Sequence, residues 1–171
     1  MSGVIAMIAP LVVFSAIAWL AVLVATPSLP AGPAAFLYML GSRICHQIAE
    51  RSFHLDGVQL PVCARCTGIY AGLAIGTLYA TFSTSTRWGQ TPARKARRVL
   101  VLGALPTLVT VLVEWAGFWQ TSNSARALAG APLGIAVGIL VIAALTERPG
   151  LHYGECAPRP PIARDRPPSH I

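Results

Sequence analysis

Residues 4–26 read VIAMIAPLVVFSAIAWLAVLVAT, a run without one charged side chain. The hydrocarbon core of a bilayer is about 30 Å thick and takes roughly 20 apolar residues as a helix. This stretch is therefore long enough to cross one. A secretory leader has a basic n-region and an apolar core of about 7–15 residues. The residues before Val4 include no Lys or Arg and the run is longer, so it reads as a retained span.

Three further stretches extend the pattern: residues 62–82, with Arg65 near the start; residues 99–119, with one acid, Glu114; and residues 127–146, uncharged. Composition points the same way. Of 171 residues, 54% are hydrophobic and only 11% charged, against about 25% charged in a soluble domain. A soluble core of this size could not hide so much apolar surface. The same figures exclude extensive disorder, a collagen-like fibre and a coiled coil. The expected fold class is all-α: an integral membrane bundle of four helices over residues 1–146. A Cys/His-bearing loop joins the first two, and a disordered, basic, Pro-rich tail spans residues 147–171.

Orientation follows from the Lys and Arg of the short connections. Arg87, Arg94, Lys95, Arg97, Arg98, Arg148, Arg159, Arg164 and Arg166 fall on one side; Arg43, Arg51, Arg65 and Arg126 fall on the other. Nine against four predicts a multi-pass protein of the cell's inner (plasma) membrane with both termini cytoplasmic. The net charge of +7 is then a topology signal with anionic lipid as its partner, and nucleic acid is not expected. Cys156, in the tail, reads as a reduced, unpaired thiol.

Within the spans, Gly68, Gly72 and Gly76 recur every fourth residue, as do Gly130, Gly134 and Gly138. Small residues at this spacing let two helix backbones approach closely in lipid. Each stripe follows an arginine, Arg65 or Arg126, which gives the two halves a weak internal likeness. Gly103 lies on neither stripe. Pro106 and Pro132 are expected to set kinks or helix ends.

The chemistry gathers between the first two spans, where three of four cysteines and two of four histidines lie. Cys63 and Cys66 are three apart, so at a helix N-terminus they share a face. That end of a helix lowers a thiol's pKa. Pro61 reads as a residue of the helix's first turn. A Cys-x-x-Cys pair chelates a tetrahedral ion when two more ligands arrive. Cys45 and its neighbour His46 are placed to supply them, if the backbone there is not regular helix; His54 or water is the substitute. The same pair would serve thiol–disulfide exchange with a quinone as electron acceptor, or a plain disulfide would staple the loop. An odd number of thiols argues against stapling, because one would remain exposed to an oxidising compartment. The expected site is a thiolate cluster for one zinc or similar transition metal, on Cys45, His46, Cys63 and Cys66. The redox alternative uses Cys63 and Cys66 as the reacting pair.

The strings ICHQ (residues 44–47), RSF (51–53) and LPVCARCTGIY (60–70) with Gly72 resemble a family of small, uncharacterised prokaryotic membrane proteins. Ser122-Asn123, Arg126 and Gly130 are similar to that family's second block. Residue 49 is Ala where the family form has Pro. The resemblance implies membrane residence and marks Cys45, His46, Cys63, Arg65 and Cys66 as signature positions. It implies no activity.

Glu114 lies near the outer end of its span, on the side where Arg65 and Arg126 open theirs. An ionisable group at such depth needs a partner. The trio reads as a structural ion pair, or with Glu114 as a proton relay below the cysteines. No phosphate-cradling loop, hydrolytic acid pair or Ser-His-Asp set is present. A homo-oligomer or a place in a larger membrane complex is compatible with this reading, which names no reaction.

Overall fold

The computed structural model describes residues 2–83 and 93–146. Its elements in chain order are α1 (Ser2–Ala25), α2 (Ala31–Ser42), β1 (Ser52–Leu55), β2 (Val58–Cys63), α3 (Ala64–Phe82), α4 (Ala93–Trp115) and α5 (Asn123–Thr146). The fold is mostly helical, with a small two-stranded sheet that corrects the all-α expectation. Cys156 and the Pro-rich tail lie outside the described residues, as does Arg87.

Among the described residues, three stretches are long and apolar enough to cross a membrane: Ile8–Ser28, Arg94–Trp115 and Asn123–Leu145. At 1.5 Å per residue they measure about 32–35 Å, enough for a bilayer core. The remaining expected span, residues 62–82, divides. Its first two residues complete strand β2, and only Ala64–Phe82 is helical. Pro61 is correspondingly a buried strand residue and not part of the helix's first turn.

The ends of α4 and α5 also shift, each for a visible reason. Helix α4 stops at Trp115 and not Trp119, because Gly117 takes a left-handed φ of 73°. The Phe118 N–H reaches back to the Val113 carbonyl at 3.2 Å, the Schellman closure of a helix C-terminus. Helix α5 starts at Asn123 because Ser122 caps it, its Oγ accepting from the Ala125 N–H at 3.2 Å. Pro106 and Pro132 lie inside continuous helices and end neither.

Helix α3 packs most extensively on α5, with α1 against α3 and α4 against α5. The glycine stripes explain this contact. A Cβ on Gly68, Gly72 or Gly76 would strike the backbones of Ala127, Ala131 and Ile135; one on Gly130, Gly134 or Gly138 would strike those of Arg65, Ile69 and Leu73. Each stripe faces the other helix's main chain. Gly103, off both stripes, is not free either: a Cβ there would sit 2.8 Å from the Pro132 carbonyl oxygen, so α4 meets α5 through a glycine too.

The outer helices leave large apolar side chains uncovered, among them Leu11, Phe14, Leu102, Leu105 and Leu108. An aqueous surface would not tolerate such continuous faces. Near one end of the bundle Ala9, Ala80, Ile139 and Ile142 pack together; near the other, Leu23 packs with Cys45 and Val62. The C-terminal end of α1 and the N-terminal end of α3 therefore meet. The three cysteines collect there.

Candidate metal centre

Between α1 and α3 the chain makes a compact cap. Asp56 and Gly57 have φ of 51° and 81°, the signature of a type I′ two-residue hairpin turn. They pair β1 with β2, setting Leu55 opposite Val58 and Ser52 opposite Cys63, with an irregularity between Ser52 and His54. The hairpin thereby carries Cys63 to the mouth of α3.

Cys45 arrives from the opposite direction. Helix α2 closes on Gly41, whose carbonyl accepts the N–H groups of Ile44 at 3.1 Å and Cys45 at 2.9 Å. A side chain at Gly41 would collide with the Pro61 carbonyl and the Gln47 amide. Gln47, at a φ of 51°, fastens the next turn. Its Nε2 donates to the carbonyls of Tyr38 at 2.8 Å and Pro61 at 2.7 Å, and its own carbonyl accepts from Gln59 Nε2 at 2.7 Å. Residues 45–48 are thus irregular backbone stitched to α2 and β2.

This stitching brings three sulfurs together. The Sγ atoms of Cys45, Cys63 and Cys66 all lie within 4.8 Å of one another. The Cys63 N–H donates to Cys45 Sγ at 3.2 Å. Cys63 is the N-cap of α3, and Cys66 sits one turn into it. The Cys63 thiol is held down to about 5, chiefly by a hydrogen bond from the Cys66 side chain. The backbone N–H groups of Cys66 and Arg65 and the Cys45 thiol add to this, against an opposing desolvation. Unsatisfied N–H groups at a helix start are what stabilise the thiolate.

A tetrahedral ion with bonds of about 2.3 Å to sulfur sets its sulfurs about 3.8 Å apart. The three sulfurs, all within 4.8 Å of one another, reach that spacing with a contraction of at most about 1 Å. His46 is not brought into this group. The irregular backbone that joint coordination with Cys45 would require is present, but the His46 side chain is exposed. It does line the same cavity, of about 370 Å³, into which all three cysteines open. His54 is exposed on β1 and belongs to neither group.

The second expected constellation is assembled. Glu114 is buried; its Oε1 accepts from Arg126 Nε at 2.8 Å and its Oε2 pairs with Arg65 Nη2 at 3.4 Å. Arg126 also donates to Asn123 Oδ1 at 2.9 Å and to the Glu50 carbonyl at 3.4 Å. Asn123 Nδ2 donates to the Ser52 carbonyl at 2.9 Å, fastening the start of α5 to the hairpin. Arg65 links the two constellations, being next to Cys66 in sequence and paired to Glu114 in space.

The sequence assigns no task at this site to Gln47, Gln59, Ser52 or Arg51. Gln47 stood within the quoted ICHQ string as a polar residue with no assigned task. Asp56-Gly57 was a legible hairpin signal that went unused beside the stronger membrane pattern.

Fold and site together define a mostly helical membrane protein with a tri-cysteine cluster at one end of its helices. Residues 45–140 match the family described as Predicted membrane protein (DUF2085), and the chain belongs to that family. Its curated relatives include an uncharacterised protein of Methanocaldococcus jannaschii, 30% identical over 62% of this chain and 66% of that protein. Another is an uncharacterised protein of Methanothermobacter thermautotrophicus, 33% identical over 57% of this chain and 83% of that one. The chain thus spans just under two thirds of the first and most of the second. No solved structure matches.

Proposed function

We propose that this protein binds one zinc-like ion through the thiolates of Cys45, Cys63 and Cys66, at the extracytoplasmic end of a four-span membrane bundle. The observation that carries the reading is the convergence of three sulfurs, from the end of α2, the end of β2 and the first turn of α3, within 4.8 Å. Thiolates so close repel one another unless a cation lies between them. The N–H groups at the start of α3 and the Cys63 N–H on Cys45 Sγ supply the hydrogen bonds that support thiolate ligands. His46, at the cavity wall, is the candidate for a fourth ligand.

The fourth span in this reading is α3. Its glycine contacts lay it along α5, and its companions cover surface that a lone helix would expose to lipid. The Lys and Arg count then sets both termini and the basic N-terminal end of α4 in the cytoplasm. The tri-cysteine end faces outward.

Purified protein is expected to hold about one zinc or similar ion per chain by elemental analysis. Cys63→Ser should remove it, and His46→Ala should weaken its retention under chelator. A second reading is favoured by the lowered Cys63 thiol beside Cys66. There the two thiols lose two protons and two electrons to form a disulfide, and a quinone is reduced to quinol. Metal-free protein whose reducible Cys63–Cys66 bond is re-formed by added quinone would establish that reading instead.

A further inference from the structure

The cavity beside the cysteines has an unusual wall. Arg51, Arg65 and Arg126 all line it, and among the described residues no aspartate or glutamate does. Glu114, held by Arg65 and Arg126 from behind, answers one of those charges. Arg51 has no counter-ion: among the described residues its guanidinium makes no hydrogen bond or ion pair, and its exposure is only intermediate. The Nε of Arg65 is likewise buried without a partner. Guanidinium groups gathered in a low-dielectric cleft raise the local concentration of anions.

We infer that this cavity captures a small monoanion, held by Arg51, Arg65 and Arg126, with its donor atom directed at the three cysteines. Size agrees: about 370 Å³ lies within the roughly 300–1,000 Å³ of small-molecule pockets. Charge agrees as well. A divalent ion on three thiolates carries one negative charge; three guanidiniums with Glu114 carry two positive ones. One positive charge remains, and a monoanion neutralises it where a neutral ligand would not. The inference rests on the proposed metal site for the ligand's destination and for this charge tally, whereas capture itself rests on the three arginines.

The test uses detergent-purified, full-length protein stripped with chelator, and two alkylating agents of nearly equal size. Iodoacetate is a monoanion and iodoacetamide is neutral. Relative to a free cysteine peptide, the iodoacetate-to-iodoacetamide rate ratio at the cluster should be raised about tenfold or more, the scale of charge focusing in a cleft. Added salt should lower it. Arg51→Gln should bring the ratio toward the peptide value and Arg51→Lys should restore part of it. Because Arg51 holds no other group, an unchanged iodoacetamide rate verifies that the fold is intact. A wild-type ratio equal to the peptide's, or one that Arg51→Gln leaves unmoved, overturns the anion site. Metal content before stripping is scored separately: a raised ratio without metal removes only the metal reading, and metal without a raised ratio removes only this one.

Discussion

Cys63 pairs with Ser52 at the end of the hairpin and caps α3; its thiol is held down to about 5, chiefly by the hydrogen bond from the Cys66 side chain, with the N–H groups at the start of α3 adding to it. Alkylation requires the thiolate. An ordinary thiol with a pKa of about 8.5 therefore loses about tenfold in rate for each pH unit below that value. A group whose pKa is lowered stays ionised until the pH approaches the lowered value. In metal-stripped protein, iodoacetamide labelling of Cys63, followed by peptide mass spectrometry, should be nearly flat from about pH 8 to 6 and fall only toward about pH 5. A tenfold drop per unit over the upper range would mark it as ordinary. Glu114 is the other residue with consequences out of proportion to its size. Glu114→Gln would leave Arg65 and Arg126 facing each other without a counter-charge. Breaking such a buried pair costs about 3 kcal/mol or more. Thermal unfolding in detergent should register it, whereas Glu50→Gln, with its side chain exposed, should behave like the parent protein.

Among the elements, the contact between α3 and α5 is the most exacting, because the glycines meet main chain, which cannot rotate aside. Gly72→Leu or Gly134→Leu should separate the helices and lower detergent stability by well over about 1 kcal/mol. Gly103 is unsuitable as a neutral reference, since it too approaches a backbone carbonyl. Gly32, on α2, has nothing within 4 Å of an added Cβ, and Gly32→Ala should leave the melting temperature the same or slightly higher. If Gly72→Leu is tolerated as well as Gly32→Ala, the stripes do not set the packing. The stripes themselves were plain in the sequence, since a repeat of four maps directly onto a helix face. The hairpin was not. Its two strands are short, Pro61 interrupts one of them, and the apolar residues before α3 look like the start of a span.

For the molecule as a whole, the proposed topology makes a sharp statement about sides. A membrane-impermeant maleimide applied to intact cells after chelator treatment and mild reduction should label Cys63 or Cys66. The same reagent should spare Cys156, which follows α5 on the basic side. Labelling of Cys156 alone would reverse the orientation. The exposed faces of α1 and α4 add a second consequence: delipidation should aggregate the protein through those faces while leaving the Glu114 end folded. If Cys45, Cys63 and Cys66 hold an ion as proposed, its retention in such aggregates, measured by elemental analysis, would show that the cap does not depend on lipid.

Charge and hydropathy are local properties of the chain, and they pointed to a membrane protein and to the three long apolar helices α1, α4 and α5. The repeat of four at Gly68, Gly72 and Gly76, and again at Gly130, Gly134 and Gly138, also named in advance the faces that meet. Helix ends were less legible, because Gly117 and Ser122 close and open their helices through hydrogen bonds that hydropathy does not record. Which thiols converge, and that the neighbouring imidazole does not join them, was decided only in three dimensions. Cys45 and His46 are neighbours in sequence, yet Gln47, turned to a positive φ and tied to Tyr38 and Pro61, fixes a backbone that sends the thiol inward and leaves the imidazole at the cavity wall. In the sequence Arg51 reads as a topology charge and as part of the RSF string, with no place at the site. It joins Arg65 and Arg126 around one cavity because the hairpin and the start of α5 are fastened together through Ser52 and Asn123, a contact between residues 71 apart in the chain.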